Sequence, residues 1–220
     1  TGSFCDMFVG GGSVLCAIAK TDRNAKLYAN DYDQNVSAFW SVIANPGKDA
    51  DELLRLINKT PSIDLFYELR RTDATDRVGM AYRTVFFNRT TFSGILTSGP
   101  IGGRGQNSKW KIGCRYNADK IKSGIATMVD LMRGRLSVTS LHFNDLLNTV
   151  ALDTFIYLDP PYYKKGNILY PVGFSKEDHA LLADMLLQRK YNWLLSYDSC
   201  EEIRSLYYSR AVITEIEAAS

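Results

Sequence analysis

Histidine is nearly missing from this chain: only His142 and His179 occur in 220 residues. The four cysteines, Cys5, Cys16, Cys114 and Cys200, fall at no paired spacing. No zinc site can be drawn from so few ligands, and no metal is expected. No apolar run reaches the roughly 18 residues that a membrane helix needs. The N-terminus, Thr1-Gly2-Ser3-Phe4, lacks the basic-then-apolar layout of a signal peptide. Free thiols without an export signal fit a reducing cytoplasm. A Walker lysine and the spaced G-x-G-x-x-G fingerprint are also absent, which removes two common phosphate-binding signatures. Proline is scarce, at six residues, yet two of them are adjacent.

What is present is unevenly spread. The net charge is only +2, but residues 70–135 carry thirteen Lys/Arg against four Asp/Glu. The flanking segments are acidic, with six against nine in residues 1–69 and seven against eleven in 136–220. A solvated basic face would explain a charge run alone. Here aromatic residues (Tyr82, Phe86, Phe87, Phe92, Trp110, Tyr116) lie between the cations, a mixture suited to phosphate and base contact.

Strand and helix alternate on both sides of this basic segment. Phe4 to Phe8, Lys26 to Ala29, Leu136 to Leu141, Thr154 to Leu158, Trp193 to Tyr197 and Val212 to Ile216 read as strands. Ser13 to Ala19, with Ser13 near the N-cap, and Asp33 to Ala44 read as helices. So do Asp51 to Asn58, Ile63 to Arg71, Asp73 to Phe87 and Asn117 to Met132. Ser175 caps a helix running to Gln188, and Ser199 with Glu202 forms a capping-box pattern ahead of Ile203 to Tyr208. Asn88 to Tyr116 loses periodicity and fills with Gly, Ser, Thr and Asn. A loop of that length is functional or disordered. The pattern predicts an open α/β sheet with a small, mainly helical insert.

The strongest local signal is Asp159-Pro160-Pro161-Tyr162, directly after the apolar run Phe155 to Leu158. Two prolines can neither continue a central strand nor start a helix ladder, so the chain must turn stiffly there. A carboxylate, free carbonyls and a flat ring at one corner suit a planar group that bears an amine. Phe8-Val9-Gly10-Gly11-Gly12-Ser13 sits at a strand-to-helix turn. There glycines allow close backbone approach and a helix N-terminus offers free N–H groups; a plain tight turn explains it equally well. Asn30-Asp31 ends the second strand, about 20 residues on, where an acid binds ribose hydroxyls in doubly wound folds. Asn144-Asp145 lies at the same edge, and Asp145 could serve a cofactor's adenine or cap a helix at Leu146 to Val150. Phe87 to Gly94 brings Asn88 and Arg89, side chains that read bases or bind phosphate, although Arg89 also suits a helix C-terminus. Arg104, Lys109, Lys111 and Arg115 are further DNA-contact candidates.

These motifs together resemble the Dam-type DNA adenine-N6 methyltransferases, most closely the phage and prophage members. The resemblance rests on Asp6-Met7-Phe8-Val9-Gly10-Gly11-Gly12-Ser13-Val14, Asn30-Asp31, Phe87-Asn88-Arg89-Thr90, Asn144-Asp145 and Asp159-Pro160-Pro161-Tyr162. It extends to Phe174, Asp178-His179 and Ser196-Tyr197-Asp198. It implies a Rossmann-like S-adenosylmethionine-dependent fold, with residues 1–58 and 134–220 catalytic and 59–133 an inserted target-recognition domain. It places Asp6, Phe8 to Ser13, Asp31, Asp145 and Asp159 at the cofactor. It gives Asp159 and the Pro160 carbonyl the N6 amino group, with Pro161 completing the turn and Tyr162 stacking on a flipped base.

The expected substrate is double-stranded DNA, with no membrane partner. A monomer is expected, in the cytoplasm of a bacterial or phage-infected cell, with a cognate restriction endonuclease as a candidate partner. Met7 replaces a proline common in the family. A Gly-Gly-Lys segment before the first strand and a hairpin strand beyond Ser220 are the family's habit, so trimmed termini are expected. The alternatives are a cytosine-N4 or protein-glutamine methyltransferase, which prefer Ser or Asn in place of Asp159, and a non-catalytic DNA-binding relative.

Overall fold

The computed structural model describes residues 2–163 and 174–216. Five short runs form strands: β1 (Ser3–Asp6), β2 (Lys26–Asn30), β3 (Leu136–Thr139), β4 (Thr154–Leu158) and β5 (Asn192–Leu195). Every pairing is parallel, in the order β3-β2-β1-β4-β5. The chain steps outward from β1 to β2 to β3, then returns to lay β4 on the other side of β1. That reversal sets the carboxyl ends of β1 and β4 side by side. Open α/β sheets hold ligands at such a switch point.

Parallel neighbours need crossover connections, and helices supply them. They are α1 (Ser13–Thr21), α2 (Gln34–Ala44), α3 (Lys48–Ile57), α4 (Ile63–Arg71), α5 (Arg77–Thr90), α6 (Ala118–Met132), α7 (Phe143–Thr149), α8 (Lys176–Gln188) and α9 (Glu201–Tyr207). Several start where a side chain accepts an otherwise orphaned N–H: Asp33 from Asn35, Ser62 from Leu65, Asp76 from Gly79 and Asn117 from Lys120. Ser175 and Asp178 complete a capping box at α8.

Strand alternation divides the core. Phe4, Leu27, Ala29 and Leu136 face one cluster with α1, α2, α3, α5 and α6. Cys5, Met7, Ile156 and Leu158 face a second with α7 and α8. The first cluster runs unbroken into the basic segment: Phe66, Ala81, Tyr82, Val85 and Phe86 pack with Leu15, Trp40 and Leu53.

The stretch from 91 to 116 is irregular but tied together by hydrogen bonds, α5 having run on to Thr90, past the Phe87 that periodicity suggested. A 3-10 turn at Phe92–Gly94 is followed by a bridge between Thr91 and Pro100. Gln106 Nε2 donates to the carbonyls of Ile101 (2.8 Å) and Gly103 (2.6 Å), while its Oε1 accepts from Ile112 N at 2.8 Å. Arg70 lies over the Phe87 ring at 3.9 Å and donates to the carbonyls of Leu96 and Ser98.

Four sequence expectations are corrected. Val212 to Ile216 forms no strand: no pairing partner exists among the described residues, and Val212 is 97% exposed. β-Branched residues favour a strand only where a neighbour offers a ladder. Helix α1 is entered through Gly12 in a left-handed conformation (φ 65°), with no side-chain cap from Ser13. Helix α7 begins at Phe143 after His142, so Asp145 lies in its first turn and is not a cap. At α9 the N-cap is Cys200, without a side-chain bond, so the Ser199 pattern is not used.

Candidate active site

The turn after β1 is shaped by what surrounds it. Val9 N–H donates to Asn30 O (2.9 Å) and Gly12 N–H to Val9 O (2.6 Å). Gly10 and Gly12 both have positive φ, at 43° and 65°. The indole of Trp40, on α2, donates from Nε1 to Gly10 O at 3.0 Å. Its ring fills the space beneath Gly12, where a Cβ would lie 2.1 Å from Cζ2. Glycine is therefore demanded at position 12 both by backbone conformation and by the ring below it.

Asn30 bolts the three neighbouring strand ends together. It is 2% exposed. Its Nδ2 donates to Met7 O (3.1 Å) and Leu141 O (3.0 Å), and its Oδ1 accepts from Thr139 Oγ1 (2.7 Å) and Leu141 N (2.9 Å). All four hydrogen-bonding positions of a buried amide are thus filled. Beside it, Asp31 accepts from Gly10 N (2.9 Å) and Asp33 N (3.0 Å). Burial still raises its pKa to about 6 against those two bonds.

Asp6 closes the floor between β1 and β4. It is 2% exposed and its Oδ1 has no hydrogen-bond partner among the described residues. Burial raises its pKa to about 7, opposed by the Leu15 N–H and assisted by the charges of Asp159 and Asp31. A buried, unpaired carboxylate oxygen is costly in a finished protein. Its place beside two further carboxylates makes the floor a receptor for positive charge.

On the other side of the switch point, β4 ends in the elbow. Asp159 Oδ1 accepts from Ser196 Oγ at 2.7 Å. Pro160 is buried beneath the turn; Pro161 and Tyr162 are half-buried. The Asp159 charge, ahead of burial, raises the Tyr162 pKa.

These pieces enclose a cavity of about 680 Å³, within the usual size of cofactor pockets. It brings together Asp6, Phe8, Val9, Gly10, Gly11, Gly12, Ser13, Asp31, Asn88, Arg89, Asp159 and Pro161 from the sequence reading. It does not bring Pro160, Tyr162 or Asp145 into its lining. Asp145 is exposed, in a helix α7 that starts three residues earlier than the motif suggested; at that edge the lining is Leu141, His142 and Phe143.

Of the basic candidates, Asn88 and Arg89 are exposed at the cavity, while Arg104, Lys109, Lys111 and Arg115 lie outside it. Arg104 sits 5.4 Å from the Tyr67 ring and Lys109 5.3 Å from Trp110. Lys111 donates to Gln106 O. Arg115 donates to Asn88 O (3.0 Å) and Thr91 O (2.9 Å), which fastens the end of α5.

Sequence reasoning missed several members. Trp40, which fixes the glycine turn from beneath, falls within the helix read over Asp33 to Ala44, with nothing in its spacing to set it apart. Lys120, Gly124 and Met128 of α6 and Tyr157 of β4 also line the cavity, and nothing in their local sequence distinguishes them from an ordinary amphipathic face. Ser196 carries a signal, as part of Ser196-Tyr197-Asp198, but no role that spacing alone could give.

Comparison with known proteins gives the family of the chain. The chain is 23% identical over 219 residues, 93% of its own length and 76% of the relative's, to the Type II methyltransferase M.CviBI of Paramecium bursaria Chlorella virus NC1A. The family model described as D12 class N6 adenine-specific DNA methyltransferase matches residues 1–220. The match covers the parallel sheet, the glycine turn and the Asp-Pro-Pro-Tyr elbow alike, and the chain belongs to the D12 class N6 adenine-specific DNA methyltransferase family.

Proposed function

We propose that the cavity holds S-adenosylmethionine between the glycine turn and Asp31, and that Asp159 receives the N6 amino group of an adenine extruded from duplex DNA. The observation that carries this reading is the adjacency, at one switch point, of the unpaired Asp6 Oδ1 and the Asp159 carboxylate.

The residues present fit the cofactor. Its ammonium and sulfonium groups are cationic, and three carboxylates, Asp6, Asp31 and Asp159, share the cavity. Its carboxylate suits the uncapped N-terminus of α1, where Ser13 and Val14 line the wall. Asp31 is the ribose candidate. The adenine role expected of Asp145 passes to the edge formed by Leu141, His142 and Phe143. When bound, the cofactor supplies an electrophilic methyl group on sulfur.

The chain's own contribution is positioning. An exocyclic adenine amine is a weak nucleophile because its lone pair is delocalised into the ring. Asp159 and the Pro160 carbonyl would accept hydrogen bonds from its two N–H groups and draw the nitrogen toward a tetrahedral shape, and the one proton the amine sheds on methylation would leave to Asp159 or to water. With Oδ1 engaged by Ser196, Oδ2 of Asp159 is the oxygen left for the amine. Positioning of this kind contributes several powers of ten in rate. Extrusion of the base costs a few kcal/mol, offset in part by stacking on Tyr162 and Pro161.

The DNA-contact role falls to the segment 59–133, with Asn88 and Arg89 nearest the cavity and Arg104, Lys109 and Lys111 on its surface. Arg115 contributes indirectly, by fixing the end of α5. The test is Asp159→Ala. Transfer of labelled methyl groups to duplex DNA should fall by at least about a thousandfold, with cofactor binding retained in calorimetry. Methylation near the parental rate would remove Asp159 from the chemistry. A chain that binds DNA and cofactor yet never methylates any duplex would be a binding relative instead.

A further inference from the structure

The elbow after β4 has an unusual problem of support. Pro160 and Pro161 carry no N–H, so neither can donate to a ladder, and the sheet's own hydrogen bonding ends beside them. The last bond of the β4–β5 ladder runs from Ser196 N to Leu158 O at 2.9 Å. Beyond that point something else must fix the carboxylate of Asp159.

We infer that the extended segment Ser196-Tyr197-Asp198, following β5, is a splint that positions the elbow for methyl transfer. The inference rests on the reading of Asp159 as the acceptor for the adenine amine. Alternate residues of the segment turn to opposite sides, as extended backbone dictates. Ser196 Oγ donates to Asp159 Oδ1 at 2.7 Å, and the Tyr157 hydroxyl lies 3.4 Å from the same Oγ. Two residues on, Asp198 Oδ1 accepts from Tyr163 N at 3.3 Å. The elbow is thus gripped at both ends, at residue 159 and at residue 163, by side chains of one neighbouring segment.

The residue between them anchors the splint. The Tyr197 hydroxyl lies 2.6 Å from Nδ1 of His179, on α8. His179 is 2% exposed, and its ring is 4.6 Å from Phe174 and 5.1 Å from Tyr163. A buried imidazole in aromatic packing has little freedom, so the phenol it meets is held as well. The route runs from α8 through Tyr197 to Ser196, and from Ser196 to Asp159. Ser196 is therefore a positioning residue: it selects which oxygen of Asp159 remains for the amine and fixes the plane of the carboxylate.

The experiment uses the full chain, duplex DNA and S-adenosylmethionine. Ser196→Ala should lower kcat by about tenfold to a hundredfold while cofactor affinity, and KM for DNA, stay within about twofold. Ser196→Thr, which keeps a hydroxyl at the same carbon, should recover most of the loss. Asp198→Ala should lower kcat in the same manner, and Asp198→Asn, which keeps an acceptor oxygen, should do so much less. Unchanged cofactor affinity serves as the measure of folding for each variant. Ser196→Ala with parental kcat, or a loss that appears in KM alone or is not relieved by threonine, overturns the splint. Those outcomes, with Asp159→Ala inactive, leave the adenine site standing; an active Asp159→Ala removes both.

Discussion

Asp6 keeps one carboxylate oxygen buried without a partner, and the consequence is measurable. In the unfolded chain the group titrates near its ordinary value of 3.8, and in the folded chain burial raises it to about 7. Between those values the unfolded chain has lost a proton that the folded chain retains. Stability therefore declines as pH rises from about 4 to about 7 and is level above that, as far as this group decides. Asp31, raised to about 6, acts in the same sense over a narrower window. A ligand that brings positive charge prefers both groups ionised. Affinity for S-adenosylmethionine should rise as pH climbs through about 6 to 7, with protons released on binding. Calorimetry in buffers of differing ionisation enthalpy counts those protons. Asp6→Asn should remove the upper part of the pH dependence and weaken cofactor binding; an unaltered profile would place the ammonium elsewhere. At this scale the sequence was legible where chemistry was local. The elbow and the glycine turn announce themselves, because proline and glycine act on their own backbone. Asn30 and Ser196 do not, because their partners lie 109 and 37 residues away in sequence.

The elements repeat that division. The Ser175 cap was readable because a cap is a short-range device; Asp33, Ser62, Asp76 and Asn117 also cap helices that were read from periodicity alone, and α5 starts at Arg77 instead of Asp73. The entry to α1 was not readable, since Gly12 is dictated by Trp40, 28 residues on. Gly12→Ala should therefore cost about 2–4 kcal/mol, from overpacking against the indole and a left-handed backbone. A lowered urea midpoint with unchanged slope would register it. Trp40→Phe keeps most of the ring but loses the bond to Gly10 O. It should weaken cofactor binding by about threefold to tenfold, in keeping with loss of one hydrogen bond, and also lower the midpoint, since the indole is fully buried. Loss of stability without loss of affinity would mean that Trp40 serves the core alone. The run Val212 to Ile216 has residues that suit a strand, but a strand exists only where another offers pairing.

Over the whole molecule, the basic segment is read from charge as an insert, yet its apolar residues are not separate. Helix α5 packs Ala81, Tyr82, Val85 and Phe86 into the cluster that holds Trp40 and Leu53. A segment that buries its face against the sheet-bearing part cannot satisfy that face alone. Unfolding in urea should then be one transition, coincident by fluorescence and circular dichroism. Residues 59–133 expressed alone should lack cooperative unfolding; two separated transitions in the intact chain would contradict this. Charge asymmetry marks the part proposed to meet DNA, but it carries no information about which helix shares a core with which.

Two adjacent prolines leave the corner at 160 without rungs, so its placement is borrowed from a neighbour. Were β5 to slip by one residue against β4, the side chains of 196 and 198 would exchange sides with that of 197. A phenol would then meet Asp159 where a small hydroxyl now does. Methyl transfer by this protein therefore doubles as a report on strand registry: a molecule folded one step out of alignment would keep its sheet and lose its catalysis.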